Sequence, residues 1–222
     1  MSENLFKIYA NNNVLNTLTS MISSGRLSQA FLLFGQTGLG KKTIAQYMAA
    51  KMLCEDDSNS PCGQCKSCRM IEHNSHPDVQ WITSKDNAKA FSVDNLRKLS
   101  VDAVIMPNEG SKKVYILADC DNMSPLAQNA LLKLIEEPPE HAYFIFTATS
   151  KAVFLPTIIS RVISFGVTEV SHDECRQALA DNGITDENII NEALEAFGTN
   201  IGMCLSYIND DELKNAIDIA KA

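Results

Sequence analysis

Five apolar residues, Ala30-Phe31-Leu32-Leu33-Phe34, run straight into Gly35-Gln36-Thr37-Gly38-Leu39-Gly40-Lys41. This junction constrains the fold more than anything else in the chain. A short apolar run that stops at a glycine reads as a buried parallel strand. The glycines follow the phosphate-loop pattern G-x-x-x-x-G-K, in the strand-then-helix context that the pattern requires. Gly35, Gly38 and Gly40 let backbone N–H groups turn inward around phosphate oxygens, and the helix N-terminus adds partial positive charge. Lys41 is placed to reach the β- and γ-phosphates. The pattern then breaks. The next residue should be a Ser or Thr that ligates Mg²⁺, and here it is Lys42, with Thr43 one place late. One residue along a helix turns a side chain by about 100°, so Thr43 does not simply substitute.

The rest of the chain alternates in the same manner. Residues 11–25 and 41–53 have apolar residues at helical spacing, Leu15, Leu18, Met21 and Ile22 in the first and Ile44, Tyr47, Met48 and Met52 in the second. Strands are expected at 79–82, 114–118 and 143–147, with helices at 93–104 and 125–135, the latter stopped by Pro138 and Pro139. Residues 158–163 lead out of the alternating region, and from about Thr168 only helical patterns remain. Strand–helix alternation predicts an α/β fold with a parallel sheet flanked by helices, and the tail predicts a small all-helical domain. The expected division is a phosphate-loop domain at 1–166 and a helical lid at 167–222.

Phosphate-loop ATPases carry a metal-binding Asp at the end of a later strand. The strand at 114–118 ends in Ala118, Asp119, Cys120 and Asp121. If the acidic pair falls on Ala118 and Asp119, the metal carboxylate is lost. If Asp119 is the metal residue, Cys120 stands where the water-positioning acid belongs. The plain reading of Asp119 and Asp121 is a solvated turn with helix N-capping.

Cys54, Cys62, Cys65 and Cys68 form a second motif, with two C-x-x-C steps sharing Cys65. Four thiolates in one short loop predict a closed, structural Zn²⁺ site at about 54–68, with an iron–sulfur cluster as the alternative. His73 and His76 follow closely; with four cysteines at hand they are expected at the surface or in caps rather than as ligands. Cys120, Cys175 and Cys204 are scattered. A reducing cytoplasmic setting fits this usage. The N-terminus lacks a signal-peptide pattern, and no apolar run spans a bilayer. With 45% hydrophobic and 21% charged residues the composition is that of a globular protein, and a net charge of −8 argues against a free-standing nucleic-acid binder.

The order of these pieces resembles a known family. After the phosphate loop and the inserted cysteines come His76-Pro77-Asp78, then Asn129-Ala130-Leu131-Leu132-Lys133-Leu134-Ile135-Glu136-Glu137-Pro138-Pro139, then Ser160-Arg161. From about residue 5 to 208 the chain is similar to the bacterial DNA polymerase III clamp-loader subunits, gamma/tau and delta-prime. The resemblance implies an AAA+ fold with a helical lid and a zinc module. It implies a heteropentamer with gamma/tau and delta that loads the sliding clamp onto primed DNA. It gives Arg161 the role of an arginine finger in a neighbour's ATP site, although the family's Ser-Arg-Cys reads Ser160-Arg161-Val162 here. It makes Thr149 the sensor at the fourth strand's end, and puts Gly202 where the lid sensor Arg is expected. The Asn129–Pro139 segment is expected to be core packing with a capped end.

Lys42, Ala118-Asp119 and Gly202 all depart from the working ATPase and point to delta-prime, a stator that need not hydrolyse ATP. The alternative is an active gamma/tau-type ATPase; a zinc-dependent nucleic-acid-binding module is a third reading, which the charge disfavours. The family's C-terminal collar domain would lie beyond Ala222, so a piece of a longer chain or a short form is expected, monomeric by itself.

Overall fold

The computed structural model describes residues 6–56, 58–84 and 89–210; the end of the expected lid, 211–222, lies outside them. Helix α1 (Asn12–Ser23) precedes β1 (Ala30–Phe34), and the glycine loop leads into α2 (Lys41–Leu53). The cysteine stretch runs into α3 (Lys66–Glu72), followed by β2 (Val79–Thr83), α4 (Val93–Val104) and β3 (Lys113–Ala118). Then come α5 (Pro125–Glu136), β4 (Ala142–Ala148), α6 (Pro156–Ile159) and β5 (Ile163–Gly166), and finally α7 (His172–Asp181), α8 (Glu187–Phe197) and α9 (Ile201–Asn209).

The five strands form one sheet in the order β2-β3-β4-β1-β5, every neighbouring pair parallel. Both faces are covered, which is why the central strands read as unbroken apolar runs. Phe31, Leu33, Val114, Ile116 and Ile145 face α1, α2 and α3. Leu32, Tyr115, Leu117, Phe144 and Phe146 face α4, α5 and α6. Helices α7, α8 and α9 enclose a separate cluster around Cys175, Ile190, Leu194, Cys204 and Tyr207.

Helices α2 and α4 coincide with the sequence expectation, and α5 runs one residue longer. Three elements were not expected, among them the short helix α6. Helix α3 occupies the last turns of the cysteine stretch, and β5 adds a fifth strand at the sheet edge beside β1.

Parallel pairing brings every strand's C-terminal end to one rim, where ligands of such sheets bind. Phe34 pairs with Ala148 and Thr83 with Ala118. The glycine loop after β1, Thr149 after β4 and Asp119 after β3 therefore meet at that rim.

Candidate functional site

The glycine loop joins β1 to α2 through residues of positive φ. Gly40 caps α2 in the left-handed region, and Gly38 has φ of +88°. Lys41 is 8% exposed, and its Nζ donates to the carbonyls of Gly35 at 2.6 Å and Gln36 at 2.7 Å. Burial lowers its pKa, with Asp121 and Asp119 opposing the shift. Thr43 is exposed and borders a cavity of about 290 Å³ between the glycine loop and α9, together with Tyr9, Thr168, Val170, Ile201 and Leu205.

Lys42 points to the strand ends. Its Nζ lies 2.7 Å from Asp119 Oδ2. Ala118 opens onto a cavity beside Lys42 and Thr43, and buried Cys120 turns its thiol to the Leu117 carbonyl. Both registers of the acidic pair thus reach one result: at Ala118 there is no carboxylate, and at Asp119 the carboxylate is bound by an ammonium. The expectation of a solvated, helix-capping turn is corrected here. Asp119 makes no side-chain cap, and Asp121 accepts from the backbone N–H and hydroxyl of Thr149. The order β3-β4-β1 in the sheet sets both partners, bringing Thr149 to Asp121 and Lys42 of α2 to Asp119, and spacing along the chain does not show it.

The start of α9 packs on the glycine loop. Asn200 caps α9 by accepting from Met203 N–H at 3.1 Å, and its Nδ2 donates to the Thr37 carbonyl at 2.8 Å. The Gly202 N–H donates to the Gly38 carbonyl at 2.9 Å. A Cβ on Gly202 would stand 2.6 Å from Gly38 Cα, so no side chain fits between the two backbones. Asn200 went unrecognised in the sequence, although its place just before a helical run is an N-cap signal.

Arg161 is not brought to its own phosphate loop. It is exposed between α6 and β5, where Nη2 pairs with Glu136 Oε1 at 2.8 Å and Nη1 donates to the Thr157 carbonyl and Ser160 Oγ. The C-terminal turn of α5 is therefore more than core packing with a capped end.

The four cysteines converge. The Sγ atoms of Cys54, Cys62, Cys65 and Cys68 all lie within 4.8 Å of one another. A tetrahedral thiolate site with metal–sulfur bonds of about 2.3 Å needs sulfurs roughly 3.8 Å apart, so a small contraction suffices. Backbone N–H groups of Asp56 and Cys62 point at Cys54 Sγ, those of Gln64 and Cys65 at Cys62 Sγ, and that of Cys68 at Cys65 Sγ. Donors aimed at sulfur favour thiolate; those of Gln64 and Cys65 bring Cys62 down to about 7. Burial pushes Cys54 and Cys68 up. A cation at the centre would offset that cost, and the set can hold a metal ion. His73 is exposed. His76 takes the second of the two expected places: it is 4% exposed rather than at the surface, and its Nδ1 caps the turn by accepting from the Asp78 N–H.

The family described as "DNA polymerase III, delta subunit" matches residues 10–171. The chain is 32% identical to the DNA polymerase III subunit tau of Salmonella typhimurium, over 93% of this chain and 31% of that protein. It is 28% identical to the subunit delta' of Haemophilus influenzae, over 85% of this chain and 57% of that one. The chain thus spans about a third of the first relative and somewhat over half of the second. Among solved structures, the Thermotoga maritima RuvB Holliday junction branch migration motor superposes with a TM-score of 0.57 at 13% identity, over 96% of this chain and 65% of that one. That likeness bears on the fold alone, an AAA+ fold.

Proposed function

The chain belongs to the DNA polymerase III delta-subunit family, and from that premise we propose that it is a clamp-loader subunit of delta-prime type, a stator that lends Arg161 to a neighbour's ATP site. The observation that carries this reading is the setting of Arg161. Its guanidinium lies outside its own phosphate loop, exposed on Ser160-Arg161, and is held by Glu136 rather than buried in the core. An arginine supplied in trans stabilises charge on a transferring phosphoryl group and raises turnover by on the order of 10³–10⁵. The chain's own loop has neither a metal-ligating hydroxyl after Lys41 nor room for a sensor side chain at Gly202. In this reading gamma/tau and delta subunits are the partners, and the sliding clamp and primed DNA are met through the assembly, in the cytoplasm. The four cysteines hold a structural Zn²⁺, which ties residues 54–68 together and supplies no open coordination position.

The test is reconstitution with gamma/tau-type and delta-type subunits and a clamp. Arg161→Ala is expected to lower clamp-stimulated ATP turnover at least about tenfold while assembly on gel filtration is unchanged. Unchanged turnover overturns the finger. The identity to a tau subunit over 93% of the chain favours a second reading, an active ATPase. It requires Mg²⁺-dependent turnover by this chain alone, abolished by Lys41→Ala; the stator reading expects none.

A further inference from the structure

The phosphate-loop fold implies Mg²⁺ beside the nucleotide, and the residues of this chain do not fit it. Mg²⁺ takes oxygen ligands at about 2.0–2.1 Å in near-octahedral array. Position 42 offers an ammonium in place of a hydroxyl, and that ammonium sits 2.7 Å from the Asp119 carboxylate at the strand end. The positive charge that a divalent ion would bring to this rim is already covalently attached to α2.

The phosphate-binding half of the site is nonetheless intact. Lys41 is nine-tenths buried and touches only two carbonyl oxygens. Asp121 and Asp119 oppose the cost of burying its charge, but burial still outweighs them. A buried ammonium whose nearby charges do not offset its burial is under-compensated, and an incoming anion would complete it. Lys42 is 42% exposed at the side chain, so it can turn from Asp119 to a phosphate oxygen without leaving the rim. The cavity between the glycine loop and α9 adjoins Gly38 and Gly40 and is walled by Tyr9, Val170, Ile201 and Leu205, an apolar surface suited to a base.

We propose that this loop binds a nucleoside diphosphate as the free anion, with the Lys42 ammonium standing where other phosphate loops hold Mg²⁺. The site would retain nucleotide without a metal and without hydrolysis. The stator reading does not depend on this, since Arg161 acts elsewhere, and the two can fail separately.

The experiment is calorimetric titration of the chain with ADP, in EDTA and in excess Mg²⁺. Saturable binding in EDTA, at least as tight as in Mg²⁺, is expected. Lys42→Thr is expected to weaken the EDTA isotherm by about tenfold and to make Mg²⁺ tighten binding. Asp119→Asn, which releases Lys42 from its pair, is expected to tighten binding in EDTA; this gain guards against a misfolded variant imitating the loss. An unchanged melting temperature checks both variants. Absence of ADP binding in EDTA by the folded wild-type chain overturns the proposal. So does wild-type binding that Mg²⁺ tightens, or a Lys42→Thr variant that behaves as wild type.

Discussion

Asp78 is fully buried, and a carboxylate there without partners would cost several kcal/mol. It has four donors: the N–H groups of Asn108, Glu109 and Gly110, and the Asn108 side chain, at 2.6–3.1 Å. Burial pushes its pKa up, but these donors outweigh it, and the net shift is downward. A depressed folded pKa means that the carboxylate stabilises the fold at neutral pH. That contribution is lost as pH falls below the ordinary carboxylate range near about 4. Asp78→Asn should cost about 2–3 kcal/mol in urea unfolding at pH 7, and the gap to wild type should narrow in acid. An equal cost at all pH values would show that the charge is not what matters. His76-Pro77-Asp78 stood out in the sequence, but its partners some thirty residues away did not. The pairs Lys42–Asp119 and Glu136–Arg161 were hidden in the same manner. A sequence shows which residues carry charge; which charges meet depends on crossovers that only the folded sheet defines.

The elements were legible where burial is uniform. Helix 41–53 has apolar residues at helical spacing, and the strands 30–34 and 114–118 are covered on both sides, so their sequences are continuous apolar runs. Strand β5, Ile163-Ser164-Phe165-Gly166, is short and only partly buried, and nothing local separates it from a loop. Helix α3 buries little beyond Cys68 and Ile71, too few positions to set a period. Two ties hold α3: the thiols converge at its N-terminus, where Cys65 Sγ accepts from the Cys68 N–H, and Gln46 of α2 donates to the Ile71 and Glu72 carbonyls at its other end. One tightly bound metal per chain is therefore expected by elemental analysis. Its removal by a chelator at mildly acidic pH should expose Cys54, Cys62, Cys65 and Cys68 to thiol reagents and speed amide exchange across 54–72, while the strands stay protected. Uniform loss of protection over the sheet would mean that the cysteine loop is not a separate module.

At the scale of the whole chain, the phosphate loop and the helices after β5 meet backbone to backbone at Gly38 and Gly202, with Asn200 clamping Thr37 beside them. Lys7 and Tyr9 add a second tie through Asp181 on α7. Gly202→Ala would place a methyl 2.6 Å from Gly38 Cα, so either α9 or the glycine loop must shift. The expected result is a loss of about 1–3 kcal/mol and faster exchange of the Gly202 N–H. An unchanged melting temperature and exchange rate would show the contact to be loose. Glycine at 202 was read in the sequence as a missing arginine; the fold shows it to be a packing requirement as well.

The strand order has a consequence for how the chain assembles. Strand β1, from which the phosphate loop springs, has no hydrogen-bonded neighbour until residues 142–148 and 163–166 exist, because its partners are β4 and β5. The cysteine loop closes within fifteen positions and needs none of them. Local contacts form quickly, and pairings across more than a hundred residues form slowly. On the ribosome, closure of the cysteine loop is therefore expected early. The phosphate loop, although nearer the N-terminus, waits for chain made long after it.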